Sequence, residues 1–449
     1  MYFSTRTGFT QVGVALSFLF ATVSVYGSMP EQYQGNIPEE AEEKVPTQCH
    51  PADGDLNWRL VMGEAIAYLA GWQQGTNPMA YAIRAAYLWQ NGEQYVYDAF
   101  QDAPLCWTLA DEGEPGIMPP EMVPVAAGTF QMGNPWLEDG AYSDEIPVHE
   151  VYLDAYQIGR YEVTNQQYAE VLNWAHGQGY LTDVDGAPYT GGVIYAHGVY
   201  IADTQTSWSY SKITYSEGVF GVRNEVGYGG LSYSMENHPM VNVSWYGAVC
   251  YCNWMSVLQG LEPCYDTGTW ERYEPVRNGY RLPTEAEWER AAAWDGSKHW
   301  RYGITSDTID FARVNFLHEL PEDYANPQGL KAKPYTAPVG WYNGVNFARL
   351  SLPDISTVNS TSPVGAYDMS GNMMEWCHDW YHSEYYANSP AVNPSGVSES
   401  EALGSRVMRG GAWLVEADGC RSARRYSSTP DFRNCIYLGF RVARVSDKS

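Results

Sequence analysis

Three stretches of the chain carry residue types that can do chemistry at useful spacing. Asp368-Met-Ser-Gly371-Asn-Met373-Met-Glu375 sets two carboxylates and two main-chain carbonyls within one tight turn, and hard oxygen donors of this kind suit Ca²⁺. The other reading of that stretch is a helix N-terminus with Asp368 as its cap. Asp53-Gly-Asp55-Leu-Asn57-Trp58-Arg-Leu60-Val-Met-Gly-Glu64 offers oxygens at positions 1, 3, 5 and 12 of a loop, with apolar Leu60 at position 8. A Ca²⁺ loop needs this spacing, because odd positions turn their oxygens inward and the final Glu closes the shell with both of its own. Trp58 stands where such loops use Gly, and an Asp/Asn-rich turn capping a helix is the alternative. Cys377-His378-Asp379-Trp-Tyr-His382 places two His at i, i+4, which can face a zinc ion if the stretch is helical. Asp379 follows His378 where the HExxH motif needs Glu, so a loop with two exposed His is the default expectation. No Gly-rich phosphate loop and no Gly-x-Ser-x-Gly nucleophile elbow occurs.

The chain has eight cysteines. Cys49 and Cys106 bracket one segment, and a disulfide between them would contribute ~4 kcal/mol by closing a long loop. Cys252 and Cys264 can pair, with Cys250 as competitor, and so can Cys420 and Cys435. Spacing alone does not decide the connectivity. Asn242-Val-Ser244 and Asn359-Ser-Thr361 match the N-glycosylation triplet.

These residues sit in a chain of 449 residues with 45% hydrophobic and 14% aromatic content. That much apolar surface excludes a disordered chain. A net charge of −27 leaves no electrostatic footprint for phosphate backbones or anionic lipid, so nucleic acid and membrane surfaces are not expected partners. The abundance of Gly (43), Tyr (36) and Trp (17) favours a loop-rich, aromatic-packed fold over a long-helix bundle.

The elements that must position these residues fall into five segments. Residues 1–27 read as a secretory signal peptide: Arg6 supplies the positive start, Val12 to Val25 is apolar, and Val25 and Gly27 occupy the cleavage positions. The apolar run is short of the ~20 residues that span a bilayer, so cleavage and export to a secreted or periplasmic, disulfide-permissive location are expected rather than an anchor. Residues 28–48 read as a linker. Residues 49–106 repeat apolar positions at helical spacing and end runs at Gly, which predicts a small helical module. Residues 107–122 are a second, Pro/Gly-broken linker. Residues 123–446 alternate short β-like runs with turn residues, which predicts an irregular α+β domain, with hairpins and long loops over Gly177 to Asn237. Within it, Thr284 with Glu287 makes a capping box for a helix through Ala293. Asn165 reads as the cap of a helix from Gln166 to Trp174. Trp413, Arg421, Arg425 and Arg441 suit cation–π and buried ion-pair packing.

Read in order, several strings of the large domain are specific together: Gly128-Thr-Phe-Gln-Met-Gly133, Ile158-Gly-Arg-Tyr-Glu162-Val-Thr164-Asn165, His238-Pro-Met-Val-Asn242-Val-Ser244-Trp245, Gly279-Tyr-Arg281-Leu-Pro-Thr284-Glu-Ala-Glu287-Trp288-Glu289, Gly365-Ala-Tyr-Asp368-Met-Ser-Gly371-Asn372-Met-Met-Glu375-Trp376, Arg409-Gly-Gly-Ala412-Trp413 and Gly439-Phe-Arg441. They resemble the sulfatase-modifying-factor (formylglycine-generating enzyme) family. The resemblance implies an irregular fold related to C-type lectins. It implies structural Ca²⁺ held by a side-chain oxygen at Asp368, carbonyls at Gly371 and Met373, and the acidic side chain of Glu375. A second family calcium site would start near Asn315-Phe316, without an identifiable acidic partner. The 53–64 stretch (Asp53, Asp55, Asn57, Glu64) resembles a dockerin or EF-hand-like loop.

The resemblance also implies where catalysis would reside. Oxidase members of the family use two Cys, five apart, just after Gly-Gly-Ser, and the paired thiolates hold Cu(I), which soft sulfur suits. Here the Ser position is Ala412 and the first Cys position is Val415. Counting forward, the second falls on Cys420; counting back from Thr429-Pro430-Asp431, it falls on Ala417. At most one thiol remains, so copper is not expected. The expectation is an exported family member without the two-cysteine copper site, acting as a binding or accessory module for a sulfatase-type peptide, another exported protein or a glycan. The alternative is an active oxidase that converts a sulfatase cysteine to formylglycine.

Overall fold

The computed structural model describes residues 117–136, 142–205, 210–318, 326–433 and 435–446, with scattered positions between 68 and 109. The chain divides into two compact units, Met1–Ala110 and Asp111–Ser449. In the first unit the strands Tyr95–Tyr97 and Trp107–Leu109 pair antiparallel. Strand therefore stands at Tyr95–Tyr97, inside the segment read as helical, and at Trp107–Leu109, where the linker was expected to begin. Both triplets are rich in aromatic and β-branched residues, which favour extended backbone. The segments 1–48, the Asp53–Glu64 loop, Cys49 and Cys106 lie outside the described residues.

The second unit is α+β with short elements, as expected. Strands β1 (Met122–Val125) and β2 (Gly128–Met132) lead to β3 (His149–Leu153) and β4 (Tyr156–Gly159). Strand β2 pairs with β3 as a hairpin, while β4 pairs with β1 on one side. Helix α1 (Asn165–Gly177) follows. Its cap is Thr164, not Asn165: the Thr164 hydroxyl accepts from Gln167 N–H, and Gln167 answers in a capping box. Asn165 is the first helical residue, and its amide donates to the carbonyls of Met235 and His238. Between Val193 and Ser234 lie three antiparallel hairpins, in the region expected to form them.

Helix α2 (Trp245–Leu258) is capped by Ser244 and buried on nearly every side. Helix α3 (Glu285–Ala293) has the predicted capping box between Thr284 and Glu287. Every residue of α3 is buried, the four charged ones included, so it is a central pillar. Strands β5 (Met374–Trp380), β6 (Arg406–Arg409), β7 (Tyr426–Ser428) and β8 (Leu438–Gly439) form a four-stranded sheet in the order β7-β6-β5-β8. Strand β9 (Ala443–Val445) returns to pair with β4, so the last strand closes the sheet begun by the first.

The core is unusually charged. Arg409 reaches Glu285 and Glu289 at 2.7 Å each, and Arg425 holds Glu285 at 2.7 Å. Arg421 holds Glu145 at 2.7 Å, and Arg441 holds Glu375 at 2.6 Å. All four guanidiniums are fully buried. The expected arginine packing is thus realised as paired ions. Such pairs specify one arrangement, because removing either partner strands a buried charge.

Candidate functional site

Strand β6 delivers the chain to Gly410 and Gly411, both in the left-handed region at φ 94° and 73°. A side chain at Gly411 would meet the Cys420 sulfur at 2.7 Å, so the glycine is what lets these two segments touch. Ala412 and Trp413 follow, both buried. Trp413 is pinned by N–H donation to Asn372 O and by indole donation to Ile436 O at 2.9 Å. The chain turns at Val415, whose N–H donates to Ala412 O, and passes through a short 3₁₀ turn, Ala417–Cys420. A Cβ on Gly419 would strike the Val415 side chain, so Val415 packs onto the residue beside Cys420.

Cys420 lies in a small apolar nest with Tyr302, Ile304, Val314 and Phe316, against which Val415 and Ala417 pack. Its thiol donates weakly toward Val415 O at 3.8 Å. Burial pushes the thiol up to about 12, against partial help from the N–H groups of Ala412 and Gly371. Thiolate, the form that binds soft metals, is therefore scarce at neutral pH. The remaining described cysteines, Cys250, Cys252, Cys264, Cys377 and Cys435, are buried free thiols. Asp418 raises the Cys420 thiol a little further. The forward count from Val415 thus lands on a sulfur that faces Val415, and among the described residues no other cysteine belongs to its apolar cluster.

The segment is clamped from one side by ions. Arg421 reaches Glu145 with both terminal nitrogens, at 2.7 and 3.0 Å, and Asp418 through Nε at 2.8 Å. Arg425 holds Glu285, and Tyr426 donates to Gly419 O at 3.1 Å. Sequence reading singled out the arginines but missed Glu145. It is 276 residues from Arg421 along the chain, and its short 3₁₀ turn gives no local signal.

The Asp368–Glu375 stretch turns as predicted but does not begin a helix. It feeds strand β5, which overturns the helix-cap alternative. Asp368 and Asn372 take φ of 58° and 56°, and Gly371 76°. Any side chain on Gly371 would run into Val314 and Asn315 O. Asp368 Oδ2 accepts from Gly340 N–H at 2.7 Å, and burial lifts its carboxyl to about 6. Glu375 is committed elsewhere: Oε2 accepts from Arg441 Nε at 2.6 Å and Trp288 Nε1 at 2.8 Å, and Oε1 from Arg441 at 2.7 Å. Three of the carboxylate's four lone-pair positions are used, and its charge is met by a guanidinium.

Glu162, unnoticed as a site residue, adds a third acid. Its Oε2 accepts from Asn372 at 2.7 Å, while Oε1 is buried with no partner. Burial, then Asp368 and Glu375, holds its carboxyl well above the usual range. The four expected ligand residues match calcium in type. In the arrangement seen, Asp368 is available to a cation, whereas Glu375 is neutralised by Arg441. No group of three or more His, Cys, Asp or Glu suited to a metal occurs among the described residues.

Cys377–Trp380 is the end of β5, not a helix or an exposed loop, and His382 lies half-buried beyond the strand. The helical i, i+4 spacing that would turn both histidines to one ion is therefore absent. His378 is buried, with Nδ1 3.4 Å from the Tyr265 hydroxyl. Asp379 accepts the first helical N–H of α3, from Glu285, at 2.9 Å, and so works as a remote helix cap. Asn242 is buried and donates to Asp203 at 3.0 Å, whereas Asn359 is exposed. Among the described residues no helix is long and apolar enough to cross a membrane.

Comparison with known proteins places this geometry. The family described as sulfatase-modifying factor enzyme 1-like domain matches residues 110–446. A formylglycine-generating enzyme of Thermomonospora curvata is 31% identical, over 72% of this chain and 92% of its own length. One from Streptomyces coelicolor is 29% identical, over 72% and 89%. The chain is also 28% identical to a serine/threonine-protein kinase pkn1 of Chlamydia caviae, over 74% of this chain, but spans only 39% of that protein. Among solved structures, PvdO from Pseudomonas aeruginosa aligns over 73% of this chain and 95% of its own, at 23% identity and a TM-score of 0.45.

Proposed function

The chain belongs to the sulfatase-modifying factor enzyme family, and on that premise we propose that it is an exported member that binds rather than oxidises. Its fold is the irregular α+β, C-type-lectin-like fold of that family. The observation that carries the reading is the Cys420 nest: one buried, protonated thiol facing Val415, with Ala412 at the neighbouring position. Two-coordinate Cu(I) needs a sulfur on each side, and this nest offers one. The remaining scaffold is intact, with four buried arginines each paired to a carboxylate, which fits a fold kept for recognition. A sulfatase-type peptide is the first candidate ligand, since the relatives are named for generating formylglycine; another exported protein or a glycan is the second.

Export rests on the residue pattern of 1–27, and calcium at Asp368, Gly371, Met373 and Glu375 rests on the residue types. Calcium at Asp53, Asp55, Asn57 and Glu64 rests on spacing. The deciding experiment incubates the purified chain with a Cys-x-Pro-x-Arg peptide, O₂ and Cu(I), with an active formylglycine-generating enzyme as control. Binding without a change in peptide mass is expected. Conversion of cysteine to the aldehyde would establish the opposite reading, an active oxidase.

A further inference from the structure

Away from the Cys420 nest, two cysteines have neighbours that are locked to one another. Asn253, beside Cys252 on α2, clamps the backbone of Tyr265, beside Cys264. Its amide donates to Tyr265 O at 2.8 Å and accepts from Tyr265 N–H at 3.1 Å. One helical turn on, the Ser256 hydroxyl donates to Cys252 O at 2.7 Å and accepts from Tyr280 N–H at 2.8 Å. The Cys264 thiol donates to Gly279 O at 3.3 Å, and a Cβ on Gly279 would meet Ser256 Oγ at 2.5 Å. Residues 252, 256, 264 and 279 thus crowd one corner between α2 and the loop that leads to α3. Both cysteines are fully buried in the same apolar cluster.

We propose that Cys252 and Cys264 are a cross-linking pair that becomes a disulfide when the chain folds in the presence of a disulfide oxidant. Cys250 is excluded as the partner: two residues back on a helix it points ~200° away. Of the two neighbouring sulfurs, Cys264 acts on Cys252 more strongly than Cys250 does. In the first step the thiolate of one cysteine attacks a low-molecular-weight disulfide, forms a mixed disulfide and expels one thiol. The other cysteine then attacks its partner's sulfur and expels the second. Two electrons and two thiol protons pass from the protein to the oxidant, which leaves as two thiols. Burial holds both protein thiols above their ordinary range, so the exchange belongs to the stage before this corner closes. The finished bond would staple α2 to the loop that delivers Arg281 and the capping box of α3.

The test maps thiols in the full chain refolded with oxidised and reduced glutathione. Free thiols in the folded fraction are alkylated, and chymotrypsin, which cuts after Tyr251 and Trp254, separates Cys250 from Cys252. The expected product joins the Cys252 and Cys264 peptides, two hydrogens lighter than their sum, with Cys250 alkylated. The link survives Cys250→Ser and is lost in Cys252→Ser. Recovery of both cysteines in alkylated form, or a Cys250–Cys264 link, would overturn the proposal.

Discussion

Val415→Cys tests the reading of the Cys420 nest at its weakest point. With the thiol held at about 12 by burial, stripping its proton at pH 7 costs ~7 kcal/mol, against ~2 kcal/mol for an ordinary thiol near 8.5. A metal bound through this sulfur alone is therefore discounted by ~10³ or more. Val415 packs on Gly419, so a cysteine there would present a second sulfur to the nest with little change in volume and a stability cost below ~1.5 kcal/mol. The assay is an anaerobic Cu(I) competition against a chromophoric chelator. The native chain should leave the metal with the chelator. Val415→Cys should withdraw about one equivalent, and Val415→Cys/Cys420→Ala should lose that gain. Stoichiometric Cu(I) uptake by the native chain, abolished by Cys420→Ala, would refute the argument, as would a folded Val415→Cys variant that takes up none.

Three further outcomes follow from the same geometry. Glu375→Gln should destabilise the domain by ~3–5 kcal/mol, because the buried Arg441 loses its counter-charge; denaturant unfolding reads this, and a loss under ~1 kcal/mol would show the pair to be dispensable. Millimolar Ca²⁺ should raise the melting temperature of the chain by several degrees and a chelator should reverse the rise, as for any ligand of the folded state; a shift within ~1 °C would show that Arg441, which already pairs with Glu375, leaves no place for the cation. His238 is buried between Thr336 and Gln328 at 2.9 Å each, and burial lowers it to about 3. The unfolded chain therefore takes up this proton first: the contribution is complete above pH ~6.5 and falls by ~1.4 kcal/mol per unit as pH drops toward 3. Comparing the native chain with His238→Phe across that window should show a shallower slope in the variant.

Much of the local architecture was legible in the residues. Thr284 and Glu287 announce the start of α3 because a capping box is complete within four residues. Hairpins over 193–234 follow from turn residues between short apolar runs. The proposal that the copper pair is lost rests on residue identity at Ala412 and Val415. Other features were misread for physical reasons. Met374–Trp380 is buried on both faces, so it shows none of the alternation that marks a strand, and its polar Cys377-His378-Asp379 run reads as a loop instead. Thr164 and Asn165 are both good caps, and only the reach of the Thr164 hydroxyl to Gln167 N–H separates them.

What the linear chain determined by itself was composition, local turns and caps, and which side chains stand along the Gly410–Cys420 segment, since these depend on neighbours a few positions apart. Tertiary structure alone decided the partners of the charges. It brought Glu145 to Arg421 and Glu375 to Arg441. It buried Glu162 with one oxygen unmet and locked Asn253 of α2 to the backbone of Tyr265. Burial couples charges by distance in space, and a guanidinium in a core takes whichever carboxylate the fold brings to it, however far away that residue lies along the backbone.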